Sequence, residues 1–312
     1  MGYPYCRMDV RFGAVLALAM VAPAVTQWRD PSPHQVRSVT VDGAIRLEVL
    51  DWGGSGRPVL FVGCYLTAHV YDSIAPKLTD QFHVYAVTRR GVGASDHPST
   101  GYDPQRRAAD ILGVMTDLGM QKPILIGNSC GGAILHTLGV QHPDRVGGLL
   151  YLDAAEDPTL KLSDYNSPPV DRAHLPQHVE RKDPSRALPE AETRQLERWP
   201  LDPAIRKAMV EDNNVRPDYT HISVPVLAIF RTTTWDTVLA DYPPKNDQER
   251  AALAQEYAAG AAMLSRWEGD LRRGVPTAQI VELPGASLYM FLSNEADVIR
   301  ELRGFAASLP RN

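Results

Sequence analysis

Eight short runs of apolar and β-branched residues constrain this chain more than any other feature. They lie at residues 36–41, 45–50, 59–62, 84–87, 124–126, 148–152, 226–230 and 279–283. Between several of them the apolar spacing changes to a helical period, at 103–118, 133–141 and 246–273. Asn246 stands three residues before Glu249, a capping-box pattern, and Gly274 marks the stop. Near the C-terminus Val298, Leu302, Phe305 and Leu309 share one helical face. Parallel strands need long crossovers, and helices supply them, so this alternation predicts an α/β fold: a mostly parallel eight-stranded sheet with helices on both faces.

The 312 residues correspond to roughly two domains at about 150 residues each, or to one large α/β domain with an insertion. A hydrophobic share of 44% with 22% charged residues excludes a wholly disordered chain and a multi-span membrane protein. The net charge of −5 leaves no electrostatic footprint for nucleic acid. Arg7 and Arg11 precede an apolar run at 12–21 that is followed by Ala22-Pro23-Ala24. Residues 1–24 therefore read as a signal peptide with an A-x-A cleavage site. The run falls short of the ~20 residues that span a bilayer, so the expectation is a secreted or periplasmic protein without a stable membrane anchor. Cleavage removes Cys6 and leaves Cys64 and Cys130, too few for a disulfide scaffold and not in a metal-binding C-x-x-C spacing.

One stretch breaks the alternation. Nine of the 25 prolines fall within 157–217, where only short helical pieces, 190–198 and 203–210, stand out. Leu188, Trp199 and Leu201 are apolar anchors that a solvated linker would lack, so 157–217 is expected to be a helical lid inserted into the sheet domain. The expected organisation is a signal peptide at 1–24, a core at 25–156 and 218–312, and the lid between the two core segments.

The sharpest local signal is Ile124-Leu125-Ile126-Gly127-Asn128-Ser129-Cys130-Gly131-Gly132, an apolar strand that runs through G-x-S-x-G into a helix. Glycines on either side of Ser129 permit a turn tight enough to hold the serine above the sheet edge. The helix starting there points backbone N–H groups at any anion formed beside the hydroxyl.

With this motif the sequence resembles the α/β-hydrolase superfamily over nearly the whole chain after the leader. The resemblance implies hydrolysis of a carboxylic ester or related acyl bond through an acyl-serine intermediate, with no metal or organic cofactor. It makes Ser129 the nucleophile. In the segment Val62-Gly63-Cys64-Tyr65 the family's glycine is kept and its histidine is not, and the amides of Cys64 and Cys130 become the oxyanion donors. Both cysteines then flank one site, where they are expected as unpaired small side chains rather than a disulfide. Residues 88–95, Thr88 to Ser95, match the loop after the fourth strand, a structural feature of the family. The acid is expected at Asp153, after the sixth strand, with Asp236 after the seventh as the alternative and Glu156 and Asp157 close by. A serine at the elbow separates this chain from epoxide hydrolases and haloalkane dehalogenases, which attack with aspartate. Tyr65, Trp235, Tyr289 and Met290 near the site imply a small hydrophobic or aromatic ester-like substrate.

The family's base is a histidine after the last strand. Here Pro284-Gly285-Ala286-Ser287-Leu288 places leucine at that position, and no histidine follows His221. His69, or His174 and His178 of the expected lid, are the alternatives for a base. Loss of a triad histidine costs on the order of 10⁴ to 10⁶ in rate. Two function classes stay open: a serine hydrolase impaired at Leu288, and a non-catalytic ligand-binding relative.

Overall fold

The computed structural model describes residues 30–160, 169–177 and 187–310. The expected leader lies outside these residues, as do 161–168 and 178–186 of the insertion. The chain divides into Met1–Pro31 and a compact body, Ser32–Asn312, which contains the whole sheet.

The eight runs are eight strands: β1 (Gln35–Val41), β2 (Ile45–Gly53), β3 (Arg57–Val62), β4 (Phe82–Thr88), β5 (Ile124–Asn128), β6 (Gly148–Leu152), β7 (Val226–Thr232) and β8 (Gln279–Pro284). Their spatial order is β1-β2-β4-β3-β5-β6-β7-β8. The two pairings that involve β2 are antiparallel and the other five are parallel. This is the α/β-hydrolase fold that the resemblance implies. Position in the sheet explains the sequence pattern. Central β5 and β6 are buried at every residue, hence their unbroken apolar runs, while edge strand β1 is mostly exposed.

Helices cover both faces. On one, α1 (Pro104–Asp117), α2 (Gly131–Gln141) and α6 (Asp247–Gly274) place Ile111, Val114, Ile134, Leu138 and Leu271 against Leu60, Leu125 and Leu149. On the other, α8 (Glu295–Ser308) packs Val298, Leu302 and Phe305 with Phe61, Ile126 and Leu150. Each such side chain contributes about 1.5–3 kcal/mol by burial. The helix starts follow the sequence signals. The Asp103 carboxylate accepts from Arg106 N–H at 2.8 Å with Pro104 in the first turn, and Asn246 accepts from Glu249 N–H at 2.8 Å.

The insertion between β6 and β7 carries α3 (Glu190–Arg198) and α4 (Pro203–Asp212). Glu192 and Gln195 of α3 dock on the 3-10 turn Ala68–Tyr71 and its cap: Thr67 N–H donates to Glu192 at 3.0 Å, and Gln195 Nε2 lies 3.0 Å from His69 Nε2. Met209 and Ile205 of α4 join a small apolar cluster with Tyr65, Val92 and Tyr102. Leu188 packs on the α8-side core and Leu201 on the α4 cluster. Two helices fall outside the sequence reading: α5 (Trp235–Asp241), which follows β7 directly and is capped by Thr234, whose hydroxyl accepts from Thr237 N–H at 3.2 Å, and the one-turn α7 (Met290–Ser293) before α8.

Candidate active site

Strand β5 ends at Asn128 and the chain turns through Ser129 into α2. Ser129 has φ of 49°, in the left-handed region that residues with a Cβ seldom occupy, and Asp153 after β6 has φ of 48°. Two close approaches hold this geometry. A Cβ on Gly131 would lie 2.4 Å from the Val62 carbonyl, and one on Gly132 would lie 1.8 Å from the Ala154 carbonyl. Only glycine lets the first turn of α2 wedge between the ends of β3 and β6. Ser129 N–H donates to Leu152 O at 3.3 Å and Gly132 N–H to Ser129 O at 2.9 Å, which completes the turn. The positive end of the α2 dipole thus sits at the carboxyl edge of the sheet, where open α/β folds bind ligands.

The same wedge brings Cys130 onto Cys64. The two form a disulfide, with Cα atoms 5.1 Å apart across a sequence separation of 66. This corrects the expectation of two unpaired thiols. A separation of that size says nothing about proximity; the contact of Gly131 with the end of β3 creates it. The bond ties together the two residues whose amides the resemblance makes oxyanion donors.

Asn128 pins a third segment beside the elbow. Its Nδ2 donates to Leu152 O at 3.0 Å and to Leu288 O at 2.9 Å. The half-buried Leu288 is therefore held against the residue that precedes Ser129. No imidazole among the described residues is hydrogen-bonded to Ser129. The His69 Nδ1 lies 3.2 Å from Asp72, its Nε2 faces Gln195, and exposed His174 is bound to Asp171 at 2.8 Å. His178 lies outside the described residues.

Asp153 is buried and already paired. Arg231 Nε donates to its Oδ2 at 2.6 Å, and Arg231 N–H donates to Oδ1 at 3.4 Å. Burial pushes the Asp153 carboxyl up, opposed by the Arg231 charge. Neighbouring Glu156 is pushed up to about 7, first by burial and then by the Asp153 charge. Asp236 is exposed in the first turn of α5. Arg231 was not singled out in the sequence, although a cation closing the apolar run of β7 is a visible irregularity.

The four residues expected around a substrate occupy different settings. Tyr65 is half-buried under α4, and half-buried Tyr289 has its ring 5.9 Å from that of Phe291. Trp235 packs on Tyr257 at 5.4 Å, and Met290 lies fully inside the core on the α8 side. Sequence reasoning also passed over Arg89, which follows β4 and places its Nη2 3.7 Å from Cys130 Sγ. Close by, His34, His69 and Asp72 bring potential ligand atoms within 4.8 Å of one another. Both imidazoles are hydrogen-bonded to the Asp72 carboxylate, at 3.0 and 3.2 Å, and that accounts for the cluster without an ion.

Comparisons with known proteins agree with the fold. The family model described as "Alpha/beta hydrolase family" matches residues 53–301. A 2-(acetamidomethylene)succinate hydrolase of Mesorhizobium japonicum is 33% identical over 122 residues, 39% of this chain and 44% of that protein. Epoxide hydrolase A of Mycobacterium tuberculosis is 30% identical over 136 residues, 40% of each chain. The matched region thus spans less than half of either relative. Among solved structures, an E-2-(acetamidomethylene)succinate hydrolase superposes with a TM-score of 0.59 at 21% identity, covering 88% of this chain and 100% of that one. A serine hydrolase involved in carbazole degradation gives 0.63 at 16% identity, covering 88% and 99%.

Proposed function

The chain belongs to the alpha/beta hydrolase family, and on that premise we propose that it is a serine hydrolase of carboxylic esters or related acyl bonds, slowed by the absence of an imidazole base at Leu288. The observation that carries this reading is Ser129, held at a φ of 49° at the start of α2 and next to the disulfide-joined Cys64 and Cys130. In the proposed reaction Ser129 Oγ attacks the acyl carbonyl. The amides of Cys64 and Cys130 stabilise the resulting oxyanion, the alcohol leaves with the serine proton, and water then releases the acid and restores the hydroxyl. Without a base the serine proton passes to solvent or to the leaving group, so the rate falls by about 10⁴ to 10⁶ relative to a complete triad.

Leu288 together with the Asp153–Arg231 pair favours a second reading, a ligand-binding relative without turnover. A single lost histidine would leave the acid free, whereas here both Asp153 oxygens accept from Arg231. The 157–217 insertion is proposed as a lid, since α4 covers Tyr65 beside the elbow. Export to the periplasm or outside the cell is proposed from the leader pattern, and the disulfide is in keeping with an oxidising compartment. Hydrolysis of p-nitrophenyl butyrate by the chain and by Ser129→Ala separates the readings. A slow rate above background that vanishes in Ser129→Ala supports the hydrolase; equal rates for the two proteins support the binding relative.

A further inference from the structure

Among the described residues three arginines are buried, and they are not treated alike. Arg90 donates from Nε and Nη2 to both oxygens of Asp110 at 2.6 Å each, a bidentate pair. Arg107, on α1, donates from Nη2 to Asn213 Oδ1 at 2.6 Å and from Nε to Asp103 O at 3.4 Å, while its Nη1 has no partner. Arg89 is 4% exposed and has only the Cys130 sulfur, a poor acceptor, 3.7 Å from Nη2; its Nε and Nη1 have no partner. A guanidinium taken out of water without a counter-ion is strongly disfavoured, so an orphaned one needs a reason. Among the described residues no carboxylate acts on Arg89. Burial and the nearby Arg107 charge pull it down to about 9, with only Tyr65 and Tyr71 opposing.

Place supplies the reason. Arg89 follows the end of β4, Cys64 the end of β3 and Ser129–Cys130 the end of β5, three neighbouring strands at the ligand-binding edge of the sheet. Tyr65 acts on both Arg89 and Arg107, and lies under the α4 cluster of Met209 and Ile205. A pocket of about 90 Å³ adjoins the residues these cations contact, since Cys130 and Asn213 both line it.

We propose that Arg89, with Arg107 beside it, forms a binding subsite for a carboxylate group of the ligand, so that the compound taken at Ser129 is an anionic acyl compound rather than a neutral ester. The inference takes its location from the proposed Ser129 site but does not depend on turnover there. With Nε and Nη1 of Arg89 unpartnered and Nη2 held only by a sulfur, either fork of the guanidinium, Nε with Nη2 or Nη1 with Nη2, can be presented to a carboxylate, which enters when the α4 cover lifts from Tyr65. The buried charge lowers the stability of the empty protein and is compensated when the anion binds.

Titration calorimetry and thermal shift on the Ser129→Ala chain, with benzoate as the anionic probe and benzamide as its neutral counterpart, test this without any acyl chemistry. Benzoate is expected to bind and raise Tm, and benzamide to do neither. Arg89→Met is expected to weaken benzoate by about 10- to 100-fold, the range of a hydrogen-bonded charge pair, with no fall in the Tm of the free protein. Arg89→Lys, which keeps the charge and loses the planar fork, is expected to bind benzoate with intermediate strength. Equal protection by the two probes, no binding of benzoate, or full benzoate affinity in Arg89→Met or Arg89→Lys would each overturn the subsite. If p-nitrophenyl butyrate is still hydrolysed through Ser129 in that event, the hydrolase reading stands and only the anion subsite fails.

Discussion

Placing an imidazole at Leu288, the proposed base position, gives the most informative perturbation, and the structure sets its size. Leu288→His places a histidine on a loop already held by Asn128 at 2.9 Å, so the backbone needs no rearrangement. Asp153, the proposed acid, is occupied, because Arg231 donates to both its oxygens, at 2.6 and 3.4 Å. In a complete triad, loss of the histidine costs about 2 × 10⁶ in kcat and loss of the acid about 3 × 10⁴. Their ratio, roughly 60-fold or about 2.4 kcal/mol of barrier, is what an imidazole without its acid should return. Leu288→His alone is therefore expected to raise kcat/KM for p-nitrophenyl butyrate by about 10²-fold. Adding Arg231→Leu frees Asp153 and is expected to give up to about 10⁴-fold more. Removing Arg231 leaves a buried carboxylate without its cation, but the guanidinium is 39% exposed, so solvent screening limits the loss to about 1–2 kcal/mol. The double variant should also show a new rate inflection near the ordinary histidine range, about pH 6.5. Two folded variants with no gain would refute the reasoning, and a full gain in Leu288→His alone would refute the part assigned to Arg231.

Other consequences follow from single observations. The Cys64–Cys130 bond closes a 66-residue separation, so reduction or Cys64→Ser is expected to lower stability by about 4 kcal/mol through the unfolded chain and Tm by roughly 7 °C; an unchanged melting curve under dithiothreitol contradicts this. Burial pulls His69 down, but hydrogen bonds to Asp72 and Glu48 and their charges outweigh it and raise it to about 10. Because the folded value lies above the unfolded one of 6.5, this stabilisation is complete below pH 6.5 and is lost as pH climbs through about 10. Burial also raises Glu192 to about 7, so its contribution falls between about pH 4.5 and 7. Tm should thus decline from pH 4.5 to 10, with the upper part flattened by His69→Gln and the lower by Glu192→Gln; Tm rising with pH would exclude both. Gly132→Ala forces a methyl to 1.8 Å from the Ala154 carbonyl and is expected to cost about 3 kcal/mol or more in denaturant titration, whereas Gly260→Ala, which meets nothing within 4 Å, is not.

Much of this architecture is legible in the residues because it rests on local rules. Strands covered on both faces read as unbroken apolar runs, as in β5 and β6, and helix starts carry their caps, as at Asp103 and Asn246. The elbow at Ser129 is equally local, since strand, glycines and helix are contiguous. What escaped the sequence depends on contacts between distant segments. Nothing near Cys64 announces that Gly131 will seat α2 on β3, and nothing near Asp153 marks Arg231, 78 residues on, as its partner. Arg89 and Arg90 are adjacent in sequence, yet only the fold shows that Asp110 serves one and leaves the other without a carboxylate.

The central claim is that Ser129 accepts an acyl group although none of the described imidazoles is hydrogen-bonded to it. Intact-mass analysis of the chain after incubation with p-nitrophenyl acetate tests this most directly, with the modified residue located by peptide mapping. The account predicts slow accumulation of one acetyl group on Ser129, absent in Ser129→Ala and turned over faster in Leu288→His with Arg231→Leu. A folded chain that carries no acetyl group at Ser129, in either the unmodified or the double-variant form, would contradict it.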